Sequence, residues 1–341
     1  MGGYGVDLFF VLSGFLITGI LIDSKGQSHF FRNFYCRRIL RIFPLFYCFI
    51  TFTIFLLPVF APFLKEAPYH FGQIQQNWAW YYFYLSNFFI AQKGYFSHGG
   101  IDITWSLAIE EHFYFFWPLL VYLLDRARIP KWLLFILSGS VLIRCLMWLG
   151  GASPIQIYVL TFSHLDSITL GAFLAAYLRT DAPSQRFIRM VTDLRLLGLS
   201  CLILAGLFAA GLLDWTNGFL NTAGYLVIAV FFTQLLAASL NDHPGGIFQK
   251  LFTWPFLITA GKYSYAMYLF HLPICTGLRL TASSLPFVRD LPKDSLTWQL
   301  FFYAAVLGCT LLAAWISWNI LEKHALKLKR IFVSGQTAAA E

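Results

Sequence analysis

Three stretches of the 341-residue sequence concentrate side chains able to do acid–base chemistry. The first runs from Thr104 to Pro118. Ser106, Glu110 and Tyr114 are spaced by four and share a helix face. Glu110, Glu111 and His112 stand together just inside an apolar run. Burial and mutual charge shift such groups toward a pKa at which a carboxylate can act as a general base. The competing reading is the polar start of an interfacial helix. The second stretch holds His164 and Asp166. Asp166 lies too deep to snorkel to water, so it is expected to face the bundle interior and to pair with a cation or be protonated. The third, Gly261 to Pro273, carries Ser264, Tyr268 and His271 on an i, i+4, i+7 stripe. These form either a site or a set of structural hydrogen-bonding groups.

Further charges sit at the ends of apolar runs. Asp7 opens the run Gly5-Val6-Asp7-Leu8-Phe9-Phe10, where it either complements the helix dipole or belongs to a site. Arg38 and Arg41 point to one face, with Arg37 beside them and Pro44 shortly after. Two guanidinium forks can grip a phosphate or pyrophosphate; alternatively they anchor the helix at lipid headgroups. Glu322 reads as a solvated or headgroup-level residue. The six cysteines include no Cys-x-x-Cys pair, so neither a disulfide framework nor a zinc site is expected.

The elements that must position these groups are membrane helices. Apolar residues make up 58% of the chain and charged ones 12%, against about 25% in a soluble domain. The expected fold is all-α: a polytopic bundle of about nine spans plus one short re-entrant or interfacial helix. The spans cover 5–22, 39–63, 105–124, 132–149, 156–178, 196–213, 220–240, 255–275 and 298–321. The aromatic run Trp78–Ala91 has 14 residues, too few to cross. With nine spans, one set of loops holds 16 Lys and Arg and the other 5. The positive-inside rule then places the C-terminus in the cytoplasm. The net charge of +8 is explained by this bias, and no nucleic-acid partner is expected. One membrane domain is expected over 1–330, followed by a short cytoplasmic tail over 331–341.

The motifs together resemble the acyltransferase-3 membrane family. Gly5-Val6-Asp7-Leu8-Phe9-Phe10-Val11-Leu12-Ser13-Gly14-Phe15-Leu16-Ile17 is similar to the signature near that family's start. So are Arg38-x-x-Arg41 with Pro44, the Trp105–Pro118 block, Asp166 followed by Gly171, and Ser264-Tyr265 with Tyr268-Leu269-x-His271-x-Pro273. Ile320-Leu321-Glu322-Lys323 resembles the family's closing motif, with His324 in place of its Pro. The resemblance covers roughly residues 4–330.

It implies a membrane O-acyltransferase that moves an acyl group, commonly acetyl, from acyl-CoA to a hydroxyl of an extracytoplasmic saccharide or lipid-linked glycan. The implied setting is a bacterial inner membrane, with acyl-CoA as co-substrate and no bound cofactor. In this reading Glu110, Asp166 and His271 are the catalytic candidates. Arg38, Arg41, Asp7, Ser106, Tyr114, Ser264 and Tyr268 are the substrate-binding ones, with Arg38 and Arg41 on the CoA phosphates. The family also carries an Arg or Lys, ten residues and then a catalytic His on a helix before the Gly-Val-Asp motif. Nothing here matches that helix: either the sequence starts at an internal Met or the helix is lost, and its role passes to no residue. A transporter or flippase of a sugar or lipid-linked intermediate is the alternative from another class, and an inactive remnant is a third.

Overall fold

A computed structural model describes residues 3–60, 71–284 and 295–329. The expected tail over 331–341 lies outside these. Among the described residues every regular element is helical. In chain order they include α1 (Tyr4–Ser24), α2 (Phe30–Thr51), α3 (Trp78–Tyr82), α4 (Ser86–Lys93), α5 (Thr104–Leu123), α6 (Ile129–Leu149) and α7 (Pro154–Val159). There follow α8 (Asp166–Tyr177), α9 (Gln185–Thr192), α10 (Leu194–Ala209), α11 (Tyr225–Leu240), α12 (Pro255–Ser284) and α13 (Leu296–Ser317).

Among the described residues five helical stretches are long and apolar enough to cross a membrane: α1, α2 extended to Val59, α6 with the turn before it, Leu220–Leu240, and Leu296–Lys327. The bent pair α9–α10, with 48° between its halves, makes a sixth if counted as one span. Reaching nine requires α5, α12 and the α7–α8 pair to cross as well. Phe135, Leu149, Leu202 and Ile320 stand exposed on these helices, as hydrocarbon solvent demands and water disfavours. The chain is an α-helical integral membrane protein.

Two expectations about individual helices meet the structure differently. Trp78–Ala91 is no span: α3 and α4 have 5 and 8 residues, separated at Tyr84, whose φ is 56°. The expected continuous helix over 156–178 is broken between Val159 and Asp166. Leu160 is extended, and the Ser163 hydroxyl donates to the Ile157 and Leu160 carbonyls at 2.6 and 3.1 Å. A short polar side chain thus takes acceptors that a helix would have used. Asp166 consequently lies in the first turn of α8 rather than mid-helix.

The chain divides into two compact units. The first holds residues 1–30, 84–95 and 105–252. Its centre is the contact of α1 with α8, which run parallel, as the expected first and fifth spans should. A Cβ at Gly14 would lie 1.9 Å from the Ile168 carbonyl oxygen, and one at Gly171 would lie 1.9 Å from that of Val11. Only glycine at both positions lets the backbones touch. Loops sort to the two ends of this unit. At one end Lys25 donates to the carbonyls of Val121 and Leu124, Arg126 donates to that of Ile22, and Arg179 pairs with Asp23 at 2.7 Å. At the other, the Tyr4 hydroxyl donates to the Leu213 carbonyl and that of Tyr158 to Gly3. The basic loops after Asp23, Leu124 and Leu178 therefore share an end, the grouping the charge count requires.

The second unit comprises the described parts of 31–83, 96–104 and 253–341. Here α12 meets α2 through Tyr265, whose hydroxyl donates to the Ile42 carbonyl at 2.9 Å, and through Phe270 against Phe49. Lys262 lies over the Trp318 ring at 4.7 Å, tying α12 to the segment that continues α13.

Candidate functional site

The α1–α8 contact gathers four buried ionisable groups in the first unit. No side-chain hydrogen bond caps α1, and Asp7 turns inward instead. Its Oδ1 accepts from the Ser167 hydroxyl at 2.7 Å and lies 3.3 Å from His164 Nε2. Asp166 is ion-paired at 2.8 Å with Arg144, a residue of the apolar helix α6. All four ionisable side chains are 0% exposed. Arg144 is further held by the carbonyls of Thr222 at 2.7 Å and Ser163 at 3.0 Å, and its guanidinium lies over the Tyr225 ring at 5.5 Å. A lone charge at this depth would cost several kcal/mol, so the arginine and the aspartate require each other.

Around His164 stand Phe10, Trp105, Tyr158 and Tyr225, edge-to-face, with ring centroids 5.0–6.1 Å away. Tyr225 also lies within electrostatic reach of Asp7, Arg144 and Asp166. In this cluster Asp7 Oδ2, both ring nitrogens of His164 and the Tyr225 hydroxyl have no hydrogen-bond partner among the described residues. The turn that carries His164 also walls an apolar cavity of about 500 Å³. Thr161, Phe162 and Leu165 form one side of it, and Phe113, Phe116 and Trp117 of α5 line it too.

Of the residues singled out in the sequence, Glu110 and Ser106 are buried on α5, and Tyr114 shares a hydrogen bond with Ser13 of α1. Their neighbour His112 is a half-buried, hydrogen-bonded histidine on the cavity wall. Its Nδ1 meets the Thr161 hydroxyl at 2.8 Å, that hydroxyl accepts from Asn87 at 2.9 Å, and the imidazole also bonds the Tyr84 backbone. The remaining candidates belong to the second unit. Ser264 is exposed and donates to the Gly261 carbonyl of its own helix. The Tyr268 hydroxyl donates to the Ile103 carbonyl at 3.1 Å. His271, expected to line the interior, is exposed, with Nδ1 2.8 Å from the Tyr268 carbonyl one turn back. Arg38 is half-buried and Arg41 exposed. Burial, and then the Arg41, Arg38 and Arg37 charges, hold the Lys329 ammonium below its ordinary range, so the four cations form one basic cluster. Glu322 corrects its expectation: it is buried and accepts from Ser317 at 2.9 Å, within electrostatic reach of Arg41.

The second unit contains another buried cluster that the sequence did not disclose. The Tyr81 hydroxyl meets His98 Nδ1 at 2.6 Å and donates to Asp102 Oδ1 at 3.0 Å. The His98 amide donates to Asp102 Oδ2 at 2.6 Å. Burial pushes the Asp102 carboxyl up to about 6, against the lowering effect of hydrogen bonds from the backbones of Ser97, His98 and Gly99 and from Tyr81. Among the described residues no group of three or more His, Cys, Asp or Glu side chains could hold a metal ion.

Arg144 and His164 are the residues that sequence reasoning under-read. Arg144 is a charge within an apolar helix, the same signal that marked Asp166. His164 was visible, but its partner lies 157 positions away on α1.

Comparison with known proteins bears on what this arrangement serves. The peptidoglycan O-acetyltransferase OatA of Listeria monocytogenes is 31% identical over 293 residues, covering 81% of this chain and 45% of the relative. The O-acetyltransferase OatA of Staphylococcus aureus is 31% identical over 295 residues, covering 80% and 46%. The chain thus spans about half the length of the curated relatives it matches. No solved structure matches it. The family model described as "Acyltransferase domain" matches residues 1–318, and the chain belongs to that family, acyltransferase-3.

Proposed function

We propose that this chain is the membrane acyl-transfer portion of an O-acetyltransferase that esterifies a hydroxyl of a cell-wall saccharide with an acetyl group from acetyl-CoA. The observation that carries this reading is the identity with peptidoglycan O-acetyltransferases across four-fifths of the chain. The basic cluster of Arg37, Arg38, Arg41 and Lys329 has the chemistry to take the phosphates of CoA, with Arg38 and Arg41 as its forked donors. Buried carboxylates and imidazoles supply what a hydroxyl nucleophile needs, since an alcohol attacks poorly without a base. Glu110 and His271 remain candidate acid–base groups. Asp166, engaged by Arg144, holds the turn on which His164 sits. The protein resides in a bacterial inner membrane with its basic loops and C-terminus in the cytoplasm.

The test uses the full-length native protein in lipid nanodiscs, with acetyl-CoA and soluble peptidoglycan fragments. Acceptor-dependent release of CoA thiol and formation of an acetyl ester are expected. Arg38→Ala should raise the KM for acetyl-CoA by roughly tenfold, the loss of one charge-assisted contact. Saccharide flux into vesicles without thiol release would point to the transport class instead.

A further inference from the structure

We propose that the cavity of about 500 Å³ in the first unit binds one acyl chain of a membrane phospholipid whose headgroup lies at Arg128 and Lys131. The inference is independent of the acyl-transfer reading, since it concerns a lipid that the protein holds rather than one that it modifies. From α5 the wall takes His112, Phe113, Phe116, Trp117 and Leu120. Their spacing, i, i+1, i+4, i+5 and i+8, is one stripe of a helix. The stripe extends about 12 Å along α5, at about 1.5 Å per residue. Phe88 of α4, Ile136 of α6 and the turn residues Thr161, Phe162 and Leu165 complete the wall.

The chemistry of the wall selects hydrocarbon, because its polar side chains are already engaged. His112 Nδ1 meets the Thr161 hydroxyl at 2.8 Å, and the ring also bonds the Tyr84 backbone. Thr161 accepts from Asn87 at 2.9 Å, and the Trp117 indole N–H donates to the Thr18 hydroxyl at 2.8 Å. The wall thus offers an occupant rings and alkyl groups. A cavity of that character stays dry and takes apolar ligands. Its volume falls within the roughly 300–1,000 Å³ of ordinary ligand sites.

Two further observations commit the occupant to a phospholipid. Phe116 and Phe162, both on the wall, are 61% and 59% exposed, so the cavity opens outward. Phe115, Leu119 and Leu123 of α5 are exposed as well, a surface suited to hydrocarbon solvent. A chain in the bilayer can therefore enter sideways. Below the opening, at the end that the basic loops share, the sequence from Asp125 to Lys131 sets Arg126, Arg128 and Lys131 against one acid, Asp125. Arg128 and Lys131 are exposed, and the 3.4 Å pair of Arg128 with Asp125 is itself open to solvent. Lys131 precedes Ile136 on α6 by about 7.5 Å of helix. Between them in sequence Trp132 stands exposed, and an exposed indole suits the headgroup level. A phosphate held by Arg128 and Lys131 places the start of its acyl chain at the lower end of the cavity.

The experiment places the full chain in nanodiscs of phosphatidylglycerol doped with the same lipid carrying a diazirine at its acyl terminus, and maps the photolabelled residues. Label on Phe113, Phe116, Leu120 and Ile136 should exceed that on Leu300 and Phe301, which are exposed on α13 and report ordinary lipid contact. Ile136→Trp puts an indole into the cavity and should lower the cavity label by about tenfold while the α13 label stays unchanged. If that variant fails to insert, the exposed double variant Arg128→Gln, Lys131→Gln decides, and should lower the cavity label by roughly tenfold. Cavity label no higher than the α13 label in the parent, or label that the substitutions leave unchanged, overturns the proposal. So does displacement of the label by polyprenyl phosphate at a small fraction of the phospholipid concentration that displaces it, which would give the cavity to a lipid-linked substrate. Equal displacement by a diacylglycerol without a phosphate would overturn the headgroup placement.

Discussion

Two buried carboxylate–histidine clusters stand among the described residues, and they differ in what is left over. In the second unit, Tyr81, His98 and Asp102 hydrogen-bond one another and the backbone of 97–99, and none of their buried polar atoms lacks a partner. In the first unit Asp7 and Tyr225 each keep one atom without a hydrogen bond, and His164 keeps both ring nitrogens so. A saturated network holds a loop in one shape and makes its position unique. An unsaturated one retains hydrogen-bonding capacity for something else. The same residue types thus anchor a loop in one place and leave buried hydrogen-bonding capacity open in the other.

Perturbing the support of the open cluster should have the largest effect. Arg144→Met removes the cation and leaves Asp166 buried alone, a change that costs about 3–5 kcal/mol. The expected readout is a sharply lowered melting temperature in detergent, or loss of inserted protein. A parental melting temperature would show that the Arg144–Asp166 pair is dispensable. Next in size is the glycine contact that brings α1 to α8. Gly171→Val pushes side-chain carbon into the Val11 carbonyl and should destabilise by about 2–3 kcal/mol, with acetyl transfer falling in parallel. Activity that survives such a change would mean that the α1–α8 spacing does not set the site.

The closed cluster should answer to pH instead. The Asp102 carboxyl is raised from 3.8 to about 6, so the folded protein binds its proton more tightly than the unfolded chain does. The stabilisation is complete below about pH 4 and disappears as pH rises through about 6, a swing of up to about 3 kcal/mol. Asp102→Asn should flatten the decline of melting temperature between pH 4 and 7 relative to the parent. An identical slope in both would remove Asp102 as its cause. The smallest effect expected is from Tyr114→Phe, which leaves the Ser13 hydroxyl without its partner and should cost about 1 kcal/mol with kcat unchanged. A large loss of kcat would extend the open cluster to that face of α5.

Much of this was legible in the sequence, and the reasons for the rest are physical. Hydropathy and charge bias fixed the all-α membrane class, most helix positions and the grouping of the basic loops. Asp7 and Asp166 stood out because a carboxylate at membrane depth needs a partner. The partners did not stand out. Spacing ties residues within one helix, whereas His164 meets Asp7 across two helices and Arg144 reaches Asp166 from a third. The break at Leu160–Leu165 was hidden because Thr161 and Ser163 interrupt an otherwise apolar run only weakly. The stripe Ser264, Tyr268, His271 was real as periodicity, yet exposure and bonds to their own helix distinguish Ser264 and His271 from the buried cluster. The Tyr81–His98–Asp102 set joins a short helix to a loop, a pairing that periodicity does not reveal.

The touching backbones of α1 and α8 carry a mechanical consequence. The two helices are pinned near one end by Asp7 with Ser167, in the middle by Gly14 and Gly171, and near the other end by Asp23 with Arg179. Those pins spread over about 24 Å of helix, from Asp7 to Asp23 at about 1.5 Å per residue. Two rods fastened at three points behave as a single beam: they neither rock nor slide past each other. The distance from Asp7 to His164 is then set by the girder as a whole rather than by the whims of two rotamers, and a fluctuating bilayer can bend the surroundings without detuning it.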